Sequence, residues 1–171
     1  MIDLDQYIRD VPNFPSQGIM FKDITPLLAD PNASASCVSM LAKSLREKRI
    51  DKVIGIEARG FFFGSRLAAE LNVGFIPIRK KGKLPHKTLS QSYGLEYGED
   101  QIEIHADSIQ PGDSVVLHDD VLATGGTMEA AIKIVEKLGG EVVQCNFLLE
   151  LSFLNGRDRI EKFSIHSLKQ Y

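Results

Sequence analysis

Ser114-Val115-Val116-Leu117-His118-Asp119-Asp120-Val121-Leu122-Ala123-Thr124-Gly125-Gly126-Thr127 is the stretch that decides the fold. Its first part, Val115 to Leu117, is an apolar β-branched run suited to a buried strand. The last part, Ala123 to Thr127, is small and hydroxylated, and its glycines allow a tight turn and close approach to a ligand. From Met128 the apolar residues Ala131, Ile132, Val135 and Leu138 follow at helical spacing. The order is strand, acidic pair, glycine turn, helix start.

That order suits a sugar phosphate. Unpaired N–H groups and the dipole at a helix start attract a phosphate, and the hydroxyls of Thr124 and Thr127 add donors. Asp119 and Asp120 repel a phosphate but accept hydrogen bonds from neighbouring sugar hydroxyls or from a magnesium hydration shell. There is no Gly-Lys-Ser/Thr after the turn and no dinucleotide glycine spacing, which excludes a Walker loop and a Rossmann fingerprint.

Working outward, residues 52–57 form a second strand candidate that runs into Glu57-Ala58-Arg59-Gly60 and a helix over about 61–71. The architecture repeats, with Arg59 now supplying a cation for an anion. Residues 74–78 read as a third strand, 101–105 as a half-exposed strand, and 141–150 as another apolar strand. Residues 33–49 carry an amphipathic helix with Asn32 or Ser34 as cap. Residues 4–11 are expected to form a short helix, and the proline-bearing segment 14–28 a fixed loop with Phe21 available for stacking. Arg79-Lys80-Lys81-Gly82-Lys83-Leu84-Pro85-His86-Lys87 breaks the pattern and reads as a mobile basic arm for a polyanion. The tail from residue 155 is polar and carries no strong signal. Alternating strands and helices predict an α/β fold with a parallel sheet and helices on both faces. Ligands of such sheets bind beyond the carboxyl ends of strands, where Glu57-Ala58-Arg59-Gly60 and residues 119–127 both fall.

The 171 residues fit one domain, and a net charge of −3 gives no reason to expect a nucleic-acid or membrane partner. Cys37 and Cys145 form no metal-ligand pattern, and two buried thiols are expected. The acidic N-terminus does not resemble a signal peptide, and a cytoplasmic protein is the expectation.

On these residues the chain resembles the type I phosphoribosyltransferases, and within them the adenine-using members. Residues 119–127 carry the superfamily motif. Phe14-Pro15 through Gly18-Ile19-Met20-Phe21-Lys22-Asp23-Ile24-Thr25-Pro26, Glu57-Ala58-Arg59-Gly60-Phe61, the arm from Arg79, and Leu95-Glu96-Tyr97-Gly98 narrow it further. The resemblance implies a single type I phosphoribosyltransferase domain over 1–171, with hood elements at about 1–30 and 79–105. It implies transfer of the phosphoribosyl group of phosphoribosyl pyrophosphate (PRPP) to adenine, giving AMP and pyrophosphate, with Mg2+ held mainly by substrate and water. It implies a homodimer, and a cis peptide between Glu57 and Ala58.

The resemblance also assigns roles. Asp119 and Asp120 would hold the ribose, and Ala123, Thr124, Gly125, Gly126 and Thr127 the 5-phosphate. Glu57, Ala58, Arg59, Arg79, Lys80 and Lys83 would face pyrophosphate. Met20, Phe21, Lys22 and Val121 would face adenine. Glu96 and Arg59 would be catalytic, Glu96 by managing the N7 proton of the base. Val121 stands where leucine is common, Lys22 where arginine occurs, and His118 where valine is usual; His118 is read as structural. Two other readings stay open on the sequence: another purine or orotate enzyme of the superfamily, and a non-catalytic PRPP sensor.

Overall fold

The computed structural model describes residues 2–94 and 99–171. Its centre is a seven-stranded mixed sheet, in which β3 (Lys52–Ile56), β4 (Gly74–Lys80), β7 (Ser114–Leu122), β8 (Glu141–Glu150) and β9 (Ile165–Gln170) are parallel. The spatial order is β5-β6-β4-β3-β7-β8-β9, with β5 (Thr88–Gly94) and β6 (Glu99–His105) joining antiparallel beyond β4. A separate antiparallel pair, β1 (Arg9–Pro12) and β2 (Met20–Asp23), lies outside the sheet.

The strand sequences explain the layers. Val53, Val116 and Leu148 point to one face and pack with α1 (Thr25–Ala29), α2 (Pro31–Lys43) and α3 (Gly60–Glu70). Their neighbours Ile54, Leu117 and Phe147 point to the other face and pack with α4 (Gly126–Lys137). Alternate residues thus serve opposite cores, and strands covered on both faces read as continuous apolar runs. Cys37 and Cys145 are both buried thiols within these cores.

Five local expectations need correction. Residues 4–11 form a 3-10 turn, Leu4–Gln6, and then strand β1, because Asp3 caps a single turn and the next residues pair with β2. Helix α2 stops at Lys43 rather than Arg49, and its cap is Asp30, whose carboxylate accepts from the N–H groups of Asn32 and Ala33 at 2.9 and 2.8 Å. Part of the basic excursion is sheet: β4 runs on to Lys80, and residues 88–94 pair with β6 along their length. The polar tail contains β9, an edge strand that is half-buried along its length and so shows no clear inside–outside alternation. Lastly, residues 14–28 are not loop throughout: Met20–Asp23 pair with β1 as strand β2, and Thr25–Ala29 turn into helix α1. The peptide between Glu57 and Ala58 is cis, as the resemblance implies, and so is Phe14–Pro15.

Candidate active site

The carboxyl ends of β3, β4 and β7 meet at one end of the sheet. Strand β7 carries the acidic pair to its last turn and hands over to the glycine loop. Gly125 takes φ +80°, a conformation open to glycine at little cost, and is the N-cap of α4 with no side chain bonded to the helix start. The first-turn N–H groups of α4 therefore face a small cavity of about 60 Å³ lined by Asp119 and residues 121–128.

Beside it lies an apolar cavity of about 260 Å³, lined by Ile19 to Lys22, Arg59, Asp119 to Val121, Ala123, Leu151 and Leu154. Phe21 meets Phe14 edge to face at 5.1 Å, which leaves its ring standing at this cavity. The Arg59 guanidinium lies over the same ring at 4.8 Å, and its Nε approaches Asp120 Oδ2 at 2.8 Å. A third, open cavity of about 590 Å³ runs from Thr124 and Thr127 to Tyr93, Leu154 and Arg159. The three share residues and form one cleft.

The acidic pair is under electrostatic load. Asp120 is buried and Asp119 partly buried. Desolvation, and then the charge of Asp120, push the Asp119 carboxyl well above its ordinary range, although Asp119 accepts the Asp120 N–H at 2.9 Å. Desolvation also raises Asp120, with Arg59 pulling against it.

Three cations of the basic arm, Arg79, Lys80 and Lys83, are already paired. Glu57 accepts from Lys83 Nζ at 2.5 Å, the Lys80 N–H at 2.8 Å and Arg79 Nε at 3.3 Å. Burial pushes the Glu57 carboxyl up, but these donors outweigh it and hold it below the usual range. Lys80 Nζ pairs with Asp100 at 3.0 Å, and Asp100 also accepts from the Tyr93 hydroxyl at 3.0 Å. The Glu57 side chain thus organises the cations, and what this turn can offer an anion is its backbone and the arm. Glu96 lies outside the described residues.

His118 is structural by its bonds. Asn146 donates its amide to Gln144 at 3.0 Å, so its oxygen accepts from His118 Nδ1 at 2.9 Å. Burial lowers the His118 pKa to about 4, and the ring stays neutral near pH 7. Gly60 lets α3 start against this strand: a Cβ there would lie 2.8 Å from the His118 carbonyl.

Leu151, Leu154 and Gly156 were missing from the residues expected at the site. They arrive from the segment after β8, whose only sequence signal is the turn pair Asn155-Gly156. Asn155 is left-handed at φ +52°, and the carbonyls of Ala123 and Gly156 leave no room for a Cβ at Gly156 or Gly125 respectively.

A family profile described as the phosphoribosyl transferase domain matches residues 23–164. Adenine phosphoribosyltransferase of Christiangramia forsetii is 55% identical over 170 residues, covering 99% of each chain. The chain belongs to the adenine phosphoribosyltransferase family. A crystal structure of adenine phosphoribosyltransferase from Thermoanaerobacter pseudethanolicus superposes with a TM-score of 0.96 at 50% identity, covering 98% of each chain. That from Saccharomyces cerevisiae, complexed with D-2,5-dideoxy-2,5-imino-altritol 1,6-bisphosphate and adenine, superposes at 0.92 with 39% identity and 96% of each chain covered. Among the described residues no helix is long and apolar enough to cross a membrane.

Proposed function

We propose that this chain transfers the 5-phosphoribosyl group of PRPP to adenine, releasing AMP and pyrophosphate, as a purine-salvage enzyme. The observation that carries the reading is the joined cleft: a small cavity of open helix N–H groups beside a larger apolar cavity, with two carboxylates between them. The donors suit a phosphate, the carboxylates suit ribose hydroxyls, and the apolar walls suit a purine.

In this reading Ala123 to Thr127 hold the 5-phosphate, and Asp119 and Asp120 fix the ribose. Anchoring both ends of the sugar sets the attack geometry at C1. The base lies against Phe21 and Val121, and backbone groups of Met20 to Lys22 read its edge. N9 bonds to C1 as the C1–O bond to pyrophosphate breaks, pyrophosphate leaving with the electron pair. Positive charge grows on the sugar and negative charge on the leaving group. The proton on N7 passes to Glu96, help of a kind worth about 10²–10⁴ in rate. Arg59 neutralises Asp120 beside the base. The backbone at Glu57-Ala58 and the cations Arg79, Lys80 and Lys83 receive pyrophosphate, exchanging their present carboxylate partners for it.

Mg2+ fits this donor set: two adjacent carboxylates and no denser cluster among the described residues suit an ion carried largely by phosphate and water. When bound it neutralises charge on pyrophosphate. The reading takes 1–171 as one domain with hood segments 1–30 and 79–105, working as a cytoplasmic homodimer.

The test is AMP formation against a panel of bases. A 6-amino purine offers a donor at C6 and an acceptor at N1, and a 6-oxo purine reverses both. A backbone-read edge leaves buried groups unpaired with the wrong base, which is worth roughly 10⁴ or more. Adenine should therefore exceed hypoxanthine and guanine by that order in kcat/KM, with chelator abolishing turnover. Comparable values for adenine and hypoxanthine would overturn the assignment.

A further inference from the structure

The wall behind the phosphate loop is not formed by the loop's own elements. The backbone of Gly156 lies against it, so close that a Cβ on Gly156 would meet the Ala123 carbonyl and lie 2.9 Å from the Gly125 nitrogen. From the other side, a Cβ on Gly125 would strike the Gly156 carbonyl. The two backbones are in direct contact, and the position of one sets the position of the other.

What fixes Gly156 is the next residue. Arg157 donates Nε to Glu150 Oε1 at 2.9 Å and Nη2 to Oε2 at 2.6 Å, a two-pronged fork. Glu150 is the last residue of β8 and is buried; it also accepts from Ser167 Oγ at 2.8 Å and Gln170 Nε2 at 3.2 Å, both on β9. The fork therefore ties residues 156–157 to two strands of the central sheet. The base wall has its own anchors: Leu151 donates its N–H to the Leu122 carbonyl at 2.9 Å, and Ser152 to the Tyr171 carbonyl at 3.0 Å.

We propose that Glu150 and Arg157 are positioning residues for the phosphate loop: their fork presses the Gly156 backbone against Ala123–Gly125 and holds the α4 N-terminus in register for the 5-phosphate. This rests on the PRPP reading above. Neither side chain reaches the phosphate cavity; the effect travels through one backbone contact. Lysine at position 157 would keep the charge and lose the fork, because an ammonium cannot span both oxygens in this planar way.

The experiment is calorimetric binding of PRPP, with adenine KM measured alongside. Arg157→Ala should weaken PRPP binding about tenfold or more, since a displacement of about 1 Å in a pre-organised site can cost on the order of 10²-fold. Arg157→Lys should fall between Arg157→Ala and the wild type. Adenine KM should change less than about twofold, because the separately anchored wall stays in place. Gly156→Ala leaves the fork intact but drives a methyl into the Ala123 carbonyl, and it should weaken PRPP in the same selective way. Ser167→Ala removes a bond on the far side of Glu150, and should lower Tm without moving PRPP affinity. Unchanged PRPP affinity in both Arg157→Ala and Gly156→Ala overturns the inference alone, as does equal weakening by Ser167→Ala. Wild-type protein that fails to bind PRPP overturns the underlying reading, and this inference with it.

Discussion

Replacing Asp119 and Asp120 together with asparagine should reduce kcat/KM for PRPP by roughly 10²-fold or more while raising, not lowering, the melting temperature. The functional loss follows from hydrogen bonds between ribose hydroxyls and charged acceptors, each worth about 1.5–3 kcal/mol. The gain in stability follows from burial. Both carboxyls are held above their ordinary range, mainly by desolvation, so keeping them ionised at neutral pH opposes folding. A group whose folded pKa is raised contributes stability below its unfolded pKa and loses it as pH rises through the folded value. The variant should therefore exceed the wild type most at neutral pH and above. The advantage should vanish as pH falls below the ordinary carboxylate value of 3.8, where both states bind the proton. Each kcal/mol relieved appears as about 2–4 °C for a chain of this size. Thermal melts across pH 3 to 8, with PRPP kinetics at pH 7, check both halves. A Tm lowered at neutral pH, or wild-type kinetics, would contradict the account. The burial behind the stability half is a tertiary fact that has no local mark in the sequence.

Gly125→Ala should cost a comparable factor, roughly 10² in kcat/KM for PRPP, by a different route. Gly125 has φ +80°, and an added methyl meets the Gly156 carbonyl. The left-handed backbone alone costs an alanine about 1–2 kcal/mol. Gly112 separates the two effects: its φ is +84° and nothing lies within 4 Å of its added Cβ. Gly112→Ala should thus show the stability loss without the kinetic one. If Gly125→Ala keeps wild-type kcat/KM, or if Gly112→Ala loses activity equally, the phosphate loop does not depend on the contact seen here.

The parts of this molecule that could be read from sequence are those where local chemistry and tertiary role coincide. Residues 114–127 announce a strand by an unbroken apolar run, a turn by adjacent glycines, and a helix by spacing from Met128; the structure places β7, the Gly125 cap and α4 there. Lys52 to Gly60 is legible for the same reason, as is β8. Strands β1, β2, β5 and β9 are not, because each is at an edge or outside the main sheet, where neither face is fully buried and the two-residue period is weak. Leu154 and Gly156 were hidden for a further reason. Gly156 matters through its contact with Ala123 and Gly125, and Leu154 through a cavity it shares with Ala123, some thirty positions away, and nothing local marks either. Glu57 shows the converse: its place at a strand end is legible, while its side chain's pairing with Lys83 and Arg79 depends on the β3–β4 register.

The central claim is that one cleft holds a phosphate at Ala123–Thr127 and a purine at Phe21, bridged by a ribose at Asp119 and Asp120. A crystal of this protein grown with AMP tests it directly. The account predicts the phosphate of AMP among the N–H groups of the α4 start, the ribose hydroxyls on the two carboxylates, and adenine against the Phe21 ring with its edge toward the backbone of Met20 to Lys22. AMP bound with its phosphate on the Arg79–Lys83 arm, or with its base outside the cavity of Phe21, Val121 and Leu154, would contradict it.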